Sequence, residues 1–288
     1  MSVSGPLDSW ILANAGTAQE VAFGGALLAL LALEAWRPRR RAPARRRQRW
    51  PVNFALTALN VVALGFVPVS FVGAALWARA HGVGVLNAVA LPPALAALAT
   101  LLVRGLLSTI THLLHHQVPL LWRIHRVHHL DAELDVSSTV RFHPLEMLTG
   151  PLLGLPFVLA GGLEPWALAL YELLDVVVTL FSHANLRLPR GLERALRVVV
   201  VTPELHRIHH SRWAPETDSN YGAVFPIWDV VLGTYRGEPR DDPATMALGL
   251  DDEPGAERLG LVALLLAPLR RRGAPARAGS GRAAGAAS

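Results

Sequence analysis

The segment THLLHHQVPLLWRIHRVHHL, Thr111 to Leu130, carries six histidines grouped on either side of Pro119. His112 and His116 stand four residues apart, and His125 stands three and four before His128 and His129. In a helix these intervals put imidazoles on one face, one turn apart, roughly 6 Å along the axis. Two neutral imidazoles at that separation can converge on a single metal ion. Far downstream, His206, His209 and His210 in ELHRIHHS repeat the HxxHH interval. Eleven of the twelve histidines fall between positions 112 and 210, so the clustering, not the number, is the signal.

The surroundings of these histidines are apolar. The chain of 288 residues is 52% hydrophobic and 17% charged, with a mean hydropathy of +0.34, too apolar for an ordinary soluble domain. Its apolar residues come in long unbroken runs, which point to lipid as the solvent. The basic excess, 27 Lys+Arg against 22 Asp+Glu, is entirely arginine, and eight arginines lie between Arg37 and Arg49. Apolar spans flank that run on both sides. It therefore reads as a loop held on the cytoplasmic side by the positive-inside rule, not as a nucleic-acid arm. No cysteine is present, which excludes disulfides, iron–sulfur clusters and thiolate-ligated haem. The first ten residues lack a basic n-region, so the first apolar segment is expected to stay as an anchor.

Working outward, five apolar segments are expected to enter the membrane. They are about 18–36 with Glu20 and Glu34 at its interfaces, 50–78 as one long or tilted span, 82–103 interrupted by Pro92 and Pro93, 147–163, and 165–182. Counting from a cytoplasmic arginine loop brings His112 out on the cytoplasmic side. The last two segments form a hairpin that returns His183 to the same face. The expected fold is an all-α, multi-pass integral membrane bundle with a cytoplasmic histidine-rich metal-binding cap. Its parts would be an N-terminal anchor and basic loop (1–49), a catalytic membrane domain (50–240), a C-terminal interfacial segment (241–272) and a disordered tail (273–288). Within the third part, 259–269 is too short to span and reads equally as an interfacial or a packed surface helix.

An all-imidazole site suits iron, zinc, copper or nickel, not magnesium or calcium. Nine well-placed histidines exceed the needs of one tetrahedral ion. Shared between two ions they give four or five ligands each, which fits a pair of redox metals that must also bind oxygen. No HExxH occurs, so a hydrolytic zinc protease would lack its general base. His115, off the His112–His116 face, and His81, beyond the membrane, are read as bystanders. His143 in RFHPLE is open between ligation and a supporting or capping role. Glu172, Asp175, Thr179 and His183 follow helical spacing as one polar stripe. His183 reads as a ligand. Glu172 and Asp175 either hold the outer nitrogen of a liganding imidazole or bind neighbouring helices together.

These residues carry a resemblance. HLLHH (112–116), PLLWRIHRVHHLD (119–131), RFHPLE (141–146), SHANLRLP (182–189), TPELHRIHHS (202–211), DSNYG (218–222) and WDVVLGTY (228–235) together resemble the fatty acid hydroxylase superfamily, also called the sterol desaturase family. The resemblance covers roughly Arg49 to Tyr235. It implies a membrane non-haem di-iron oxygenase with His112, His116, His125, His128, His129, His183, His206, His209 and His210 as ligands to two irons, zinc being a substitute in isolated protein. Asn185, Asp218, Asn220, Trp228 and Asp229 match motif positions and are expected to support those ligands or the fold. The sequence departs from the family pattern at Gly105, Thr109, Ile110 and Leu113, where an acid, an aromatic pair and an arginine are usual.

The expected activity is O2-dependent hydroxylation, or desaturation, of a lipid C–H bond in the inner membrane. The lipid would be a sterol, a fatty acyl chain or a similar molecule drawn from the bilayer. With no fused cytochrome b5-like segment, two electrons must come from a separate donor, cytochrome b5-like or ferredoxin/reductase. The rival is a histidine-rich membrane metal-binding or transport protein without oxidase activity. That rival expects ligands strung through several spans, whereas these gather on one side.

Overall fold

A computed structural model describes residues 5–41, 46–251 and 258–270. The tail from Gly273 and the middle of the arginine loop lie outside them. Thirteen α-helices follow one another among the described residues, with two isolated bridges and no strand. Three are long and apolar enough to cross a membrane: α1 (Pro6–Trp36), α5 (Pro93–Gln117) and α8 (Pro165–His183). Each opens on a proline in its first turn, where the missing N–H costs no intrahelical bond. The chain is a helical membrane bundle.

The expected long span at 50–78 is instead two helices, α2 (Arg46–Leu64) and α3 (Phe71–Ala80). Gly65 closes the first by donating back to the Val61 and Val62 carbonyls. Pro68 has no N–H to continue the ladder. Ser70 then restarts the chain, its Oγ accepting the Gly73 N–H at 3.0 Å. After the short α4 (Val85–Ala88), the expected span at 82–103 begins only at the Pro92–Pro93 pair. It runs on to Gln117, so His112 and His116 ride on a spanning helix. Then come α6 (Pro119–His129), a 3-10 turn at Val136–Val140, and α7 (Glu146–Gly161).

Contacts fix the direction of each pass. Arg79, ending α3, pairs with Glu164 at the start of α8. A Cβ on Gly84 (φ +97°) would lie 2.3 Å from the Gly162 nitrogen, so only glycine allows these two turns to touch. These residues mark the far face. At the opposite face Glu34, ending α1, accepts the Val136 and Asn185 backbone N–H groups at 2.8 and 2.7 Å. Thus α1, α5 and α8 all rise toward the histidines, while α2–α3 and α7 return. The hairpin expected at 147–182 is present as α7 and α8, turning at Gly162 in the left-handed region.

The cap is completed by α9 (Arg190–Leu196), α10 (Pro203–His209), α11 (Ala214–Thr217), α12 (Ile227–Leu232) and α13 (Leu261–Leu265). In the 259–269 segment, Leu264 and Ala267 pack with Leu56, Val127 and Leu130, joining α13 to α2 and α6. Val262 and Leu269 stay exposed beside them. The arginine run is partly folded in. Arg49, 2% exposed, forks onto both Asp131 oxygens at 2.7 Å and reaches Asp135 at 2.9 Å. Burial alone would push this guanidinium down, but the two aspartates more than offset it and hold its pKa up. Arg39 and Arg40 bond Asn185 through backbone groups, and the Arg39 side chain reaches Glu204 at 2.7 Å.

Candidate metal centre

Nine imidazoles meet in two groups beneath the cap. His112, His116, His125, His129 and His209 form one, and His128, His183, His206 and His210 the other. Within each group one nitrogen per ring lies within 4.8 Å of all the others. These are the nine residues selected from the sequence, and every one is at or near the C-terminal end of its helix.

The HxxHH interval explains the division. At 100° per residue, positions i and i+4 differ by about 40°, whereas i+3 falls about 60° to the other side. On α6, His125 and His129 therefore serve the five-membered group and His128 the four-membered one. On α10 the roles exchange: His206 and His210 join the four, and His209 joins the five. The two helices interlock the groups, with the His129 and His210 rings stacked at 4.5 Å.

Hydrogen bonds set the tautomers. Nδ1 of His112 donates to the Tyr221 carbonyl (2.8 Å), Nδ1 of His209 to the Ser219 carbonyl (2.7 Å) and Nδ1 of His183 to the Thr179 carbonyl (2.8 Å). Nδ1 of His125 donates to the Glu146 carboxylate at 2.7 Å, and Nδ1 of His116 faces Asp218 at 3.4 Å. A proton committed to Nδ1 leaves Nε2 a bare lone pair. Yet Nε2 of His112 lies 3.1 Å from Nε2 of His125, and Nε2 of His116 and His209 have no protein partner. His183 Nε2 likewise lies 3.1 and 3.0 Å from Nε2 of His128 and His206. Lone pairs so placed repel one another, and a cation among them turns repulsion into ligation. The donor set fits a pair of imidazole-loving metal ions.

Burial keeps the cap imidazoles neutral and ready to ligate. It pushes His125 down to about 3. It also drives His128, His129, His206, His209 and His210 well below the ordinary value, with mutual repulsion among the rings adding to it. Burial acts on Asp218 in the opposite sense, raising it to about 6.

The remaining candidates divide. Asp218 stands behind His116. Asp229 accepts the Tyr221 and Gly222 N–H groups at 2.7 and 2.8 Å, fixing the loop whose carbonyl holds His112. Asn220, with φ +52°, ties that loop to Leu205 and Arg236, and Asn185 ties the cap to Arg40. His143 is outside both groups, bonded to the Leu265 carbonyl and the Leu145 N–H at 3.1 Å each, a capping role. His115 bonds Thr111 and Thr149, and His81 bonds the Trp77 carbonyl. Glu172 and Asp175 hold no imidazole. Glu172 accepts from Gln19 at 3.2 Å, and the outer nitrogen of His183, on their own helix, is taken by the Thr179 carbonyl. Sequence reasoning missed Glu146 and Phe142, whose ring stacks on His128 at 4.4 Å. Glu146 had a faint signal, being the acid that closes the RFHPLE motif.

A cavity of about 440 Å3 leads from the membrane helices to the metal centre. Leu64, Phe71, Leu107 and Gly154 line its lower wall, and His112, His125, His128, His183 and His206 line its end, so both groups face it.

Spanning helices that deliver two interlocked imidazole groups to one face define a membrane metalloprotein. Residues 97–234 match the family of fatty acid hydroxylases, so over that part the chain is similar to the family its motifs resemble. It is 35% identical to the ornithine lipid hydroxylase OlsE of Rhizobium tropici over 56% of this chain and 46% of that one. It is 28% identical to human alkylglycerol monooxygenase over 44% and 27%, and 26% identical to human cholesterol 25-hydroxylase over 43% and 45%. The chain thus spans less than half the length of these curated relatives. No solved structure matches it.

Proposed function

We propose that the chain is a membrane-bound oxygenase that hydroxylates a lipid C–H bond at a di-iron centre held by the nine grouped histidines. The observation that carries this reading is the set of facing, bare Nε2 atoms at the end of a cavity entered from between spanning helices. Iron held there supplies O2 activation, with the balance C–H + O2 + two electrons + two protons giving C–OH + H2O. The protein's own residues do the rest. Glu146, Asp218 and the Tyr221, Ser219 and Thr179 carbonyls orient the imidazoles and raise their basicity, and burial excludes competing protons. The apolar cavity wall orients the chain to be oxidised and keeps water away.

The relatives are named for an ornithine lipid, an alkylglycerol and cholesterol as hydroxylation or monooxygenation substrates, which favours insertion of oxygen over desaturation. Electrons would come from a separate cytochrome b5-like or ferredoxin/reductase donor. Arg39 and Arg40 of the arginine run pack on the same face as the histidines, which supports a centre on the cytoplasmic side of the inner membrane under the positive-inside rule. Residues 50–240 would form the catalytic domain, behind the 1–49 anchor and followed by the C-terminal segment. The test pairs metal analysis with lipid mass spectrometry of cells with and without the gene. Two irons per chain and a lipid heavier by one oxygen are expected. Purified protein that takes up no iron, or an unchanged lipid profile, would overturn the assignment.

A further inference from the structure

Below the metal centre the cavity carries a second polar layer that the oxygenase reading does not use. Arg104 on α5 and Asp175 on α8 both line it. Each stands eight residues before a grouped histidine, His112 and His183 respectively, and so about 12 Å from that layer along its helix. Because α5 packs on α8 and both rise toward the cap, the two groups share one level. Arg104 is held from behind, its guanidinium 4.8 Å from the Phe71 ring and 4.9 Å from the Tyr171 ring. Aromatic faces stabilise the charge but satisfy none of its N–H groups. Its Nε carries no hydrogen bond, and neither does Asp175 Oδ1. No ion pair joins Arg104 to Asp175 among the described residues, although both line the cavity.

The layer therefore offers a donor on one side and an acceptor on the other. An anionic headgroup would satisfy Arg104 and be repelled by Asp175, and an ammonium would meet the reverse. At membrane depth neither imbalance is cheap. A neutral group that both donates and accepts meets both needs at once. An ester can only accept and would leave Asp175 unmet.

We propose that Arg104 and Asp175 form a substrate subsite for a neutral donor–acceptor group, an amide or a hydroxyl, lying about 12 Å from the oxidised carbon of the lipid. The proposal deepens the oxygenase reading and rests on it for the word substrate. The subsite sets which carbon reaches the metals, because a chain anchored at one level presents a fixed length to the other.

The test measures binding, which does not need turnover. The full chain in lipid nanodiscs is offered an N-alkyl fatty amide, the ester of the same chain lengths and the corresponding secondary alcohol, with retained lipid read by native mass spectrometry. The amide, the alcohol or both should outcompete the ester by about tenfold, 1.4 kcal/mol. The preferred competitor identifies which source of the shared chemistry is used. Asp175→Leu should bring that ratio to within about twofold, and Asp175→Asn, which keeps an acceptor, should retain most of it. Arg104→Met should weaken amide and ester alike, since both use its donors. Wild-type protein that binds the ester as tightly as the others overturns the subsite, whether or not any variant folds. So does a preference that survives Asp175→Leu. Iron analysis of the same samples reports on the metal assignment separately.

Discussion

The two histidine groups are built from the same motif but supported differently. In the five-membered group, carboxylates back two rings, Glu146 on His125 and Asp218 on His116. In the four-membered group no carboxylate backs a ring among the described residues. His183 leans on the Thr179 carbonyl, while the Nδ1 atoms of His128 and His206 have no partner. One group has a spare ligand and anionic support, and the other has neither. The first should hold its ion more tightly and at a lower reduction potential, since a carboxylate behind an imidazole strengthens it as a donor. Two neighbouring sites can thus be made unequal without changing a single ligand type.

Removing one ligand from each group is the strongest way to break that comparison. His206→Ala leaves three imidazoles and should drop bound iron from two to one per chain with activity lost. His116→Ala leaves four and should keep both irons with activity reduced about tenfold to a hundredfold. Equal iron loss in the two variants, measured by elemental analysis, would erase the distinction. Acid should probe what the groups share. Burial lowers the imidazoles of both, so between the ordinary 6.5 and the value of about 3 reached by His125 the unfolded chain binds more protons than the folded one. Metal-free protein should therefore lose stability as pH falls below about 6.5, by ~1.4 kcal/mol per pH unit for each histidine so affected. Thermal unfolding across pH 7.5 to 4.5 measures it, and a flat profile would contradict neutral burial.

Smaller changes sharpen the asymmetry. Glu146→Gln keeps a hydrogen-bond acceptor for His125 but removes the charge. It should weaken one of the two metal sites about tenfold or more in a chelator competition, leaving the other as it was. Asp218→Asn, acting across 3.4 Å, should do the same by only a few-fold. If Glu146→Gln loosened both metals equally, the support would belong to the pair and not to one group.

The grouped ligands were legible because helical geometry leaves a trace in spacing. HxxHH can only split between two directions, and it did so on both α6 and α10. The membrane passes were legible from apolar runs, although Pro68 broke one expected span and Pro93 delayed another. What could not be read were partners supplied by backbone. The carbonyls of Thr179, Ser219 and Tyr221 hold three imidazoles, and a carbonyl exists at every position whatever the side chain. Asp175 drew attention as an acid at the right helical interval from His183, but the Thr179 carbonyl, four residues back, reaches that nitrogen first. Arg49, read as part of a basic loop, is instead a buried cation of the cap because Asp131 and Asp135 lie across from it.

One feature of the layout bears on the charge of the centre. The helices that carry the ligands, α5, α6, α8 and α10, all end there, so the negative pole of each backbone dipole is directed toward the same small volume. A long helix contributes roughly half a negative charge at that end, so α5 and α8 alone lend the equivalent of about one anion. A site made wholly of uncharged side-chain ligands thereby gains an electrostatic counterweight to its cations from the peptide backbone itself.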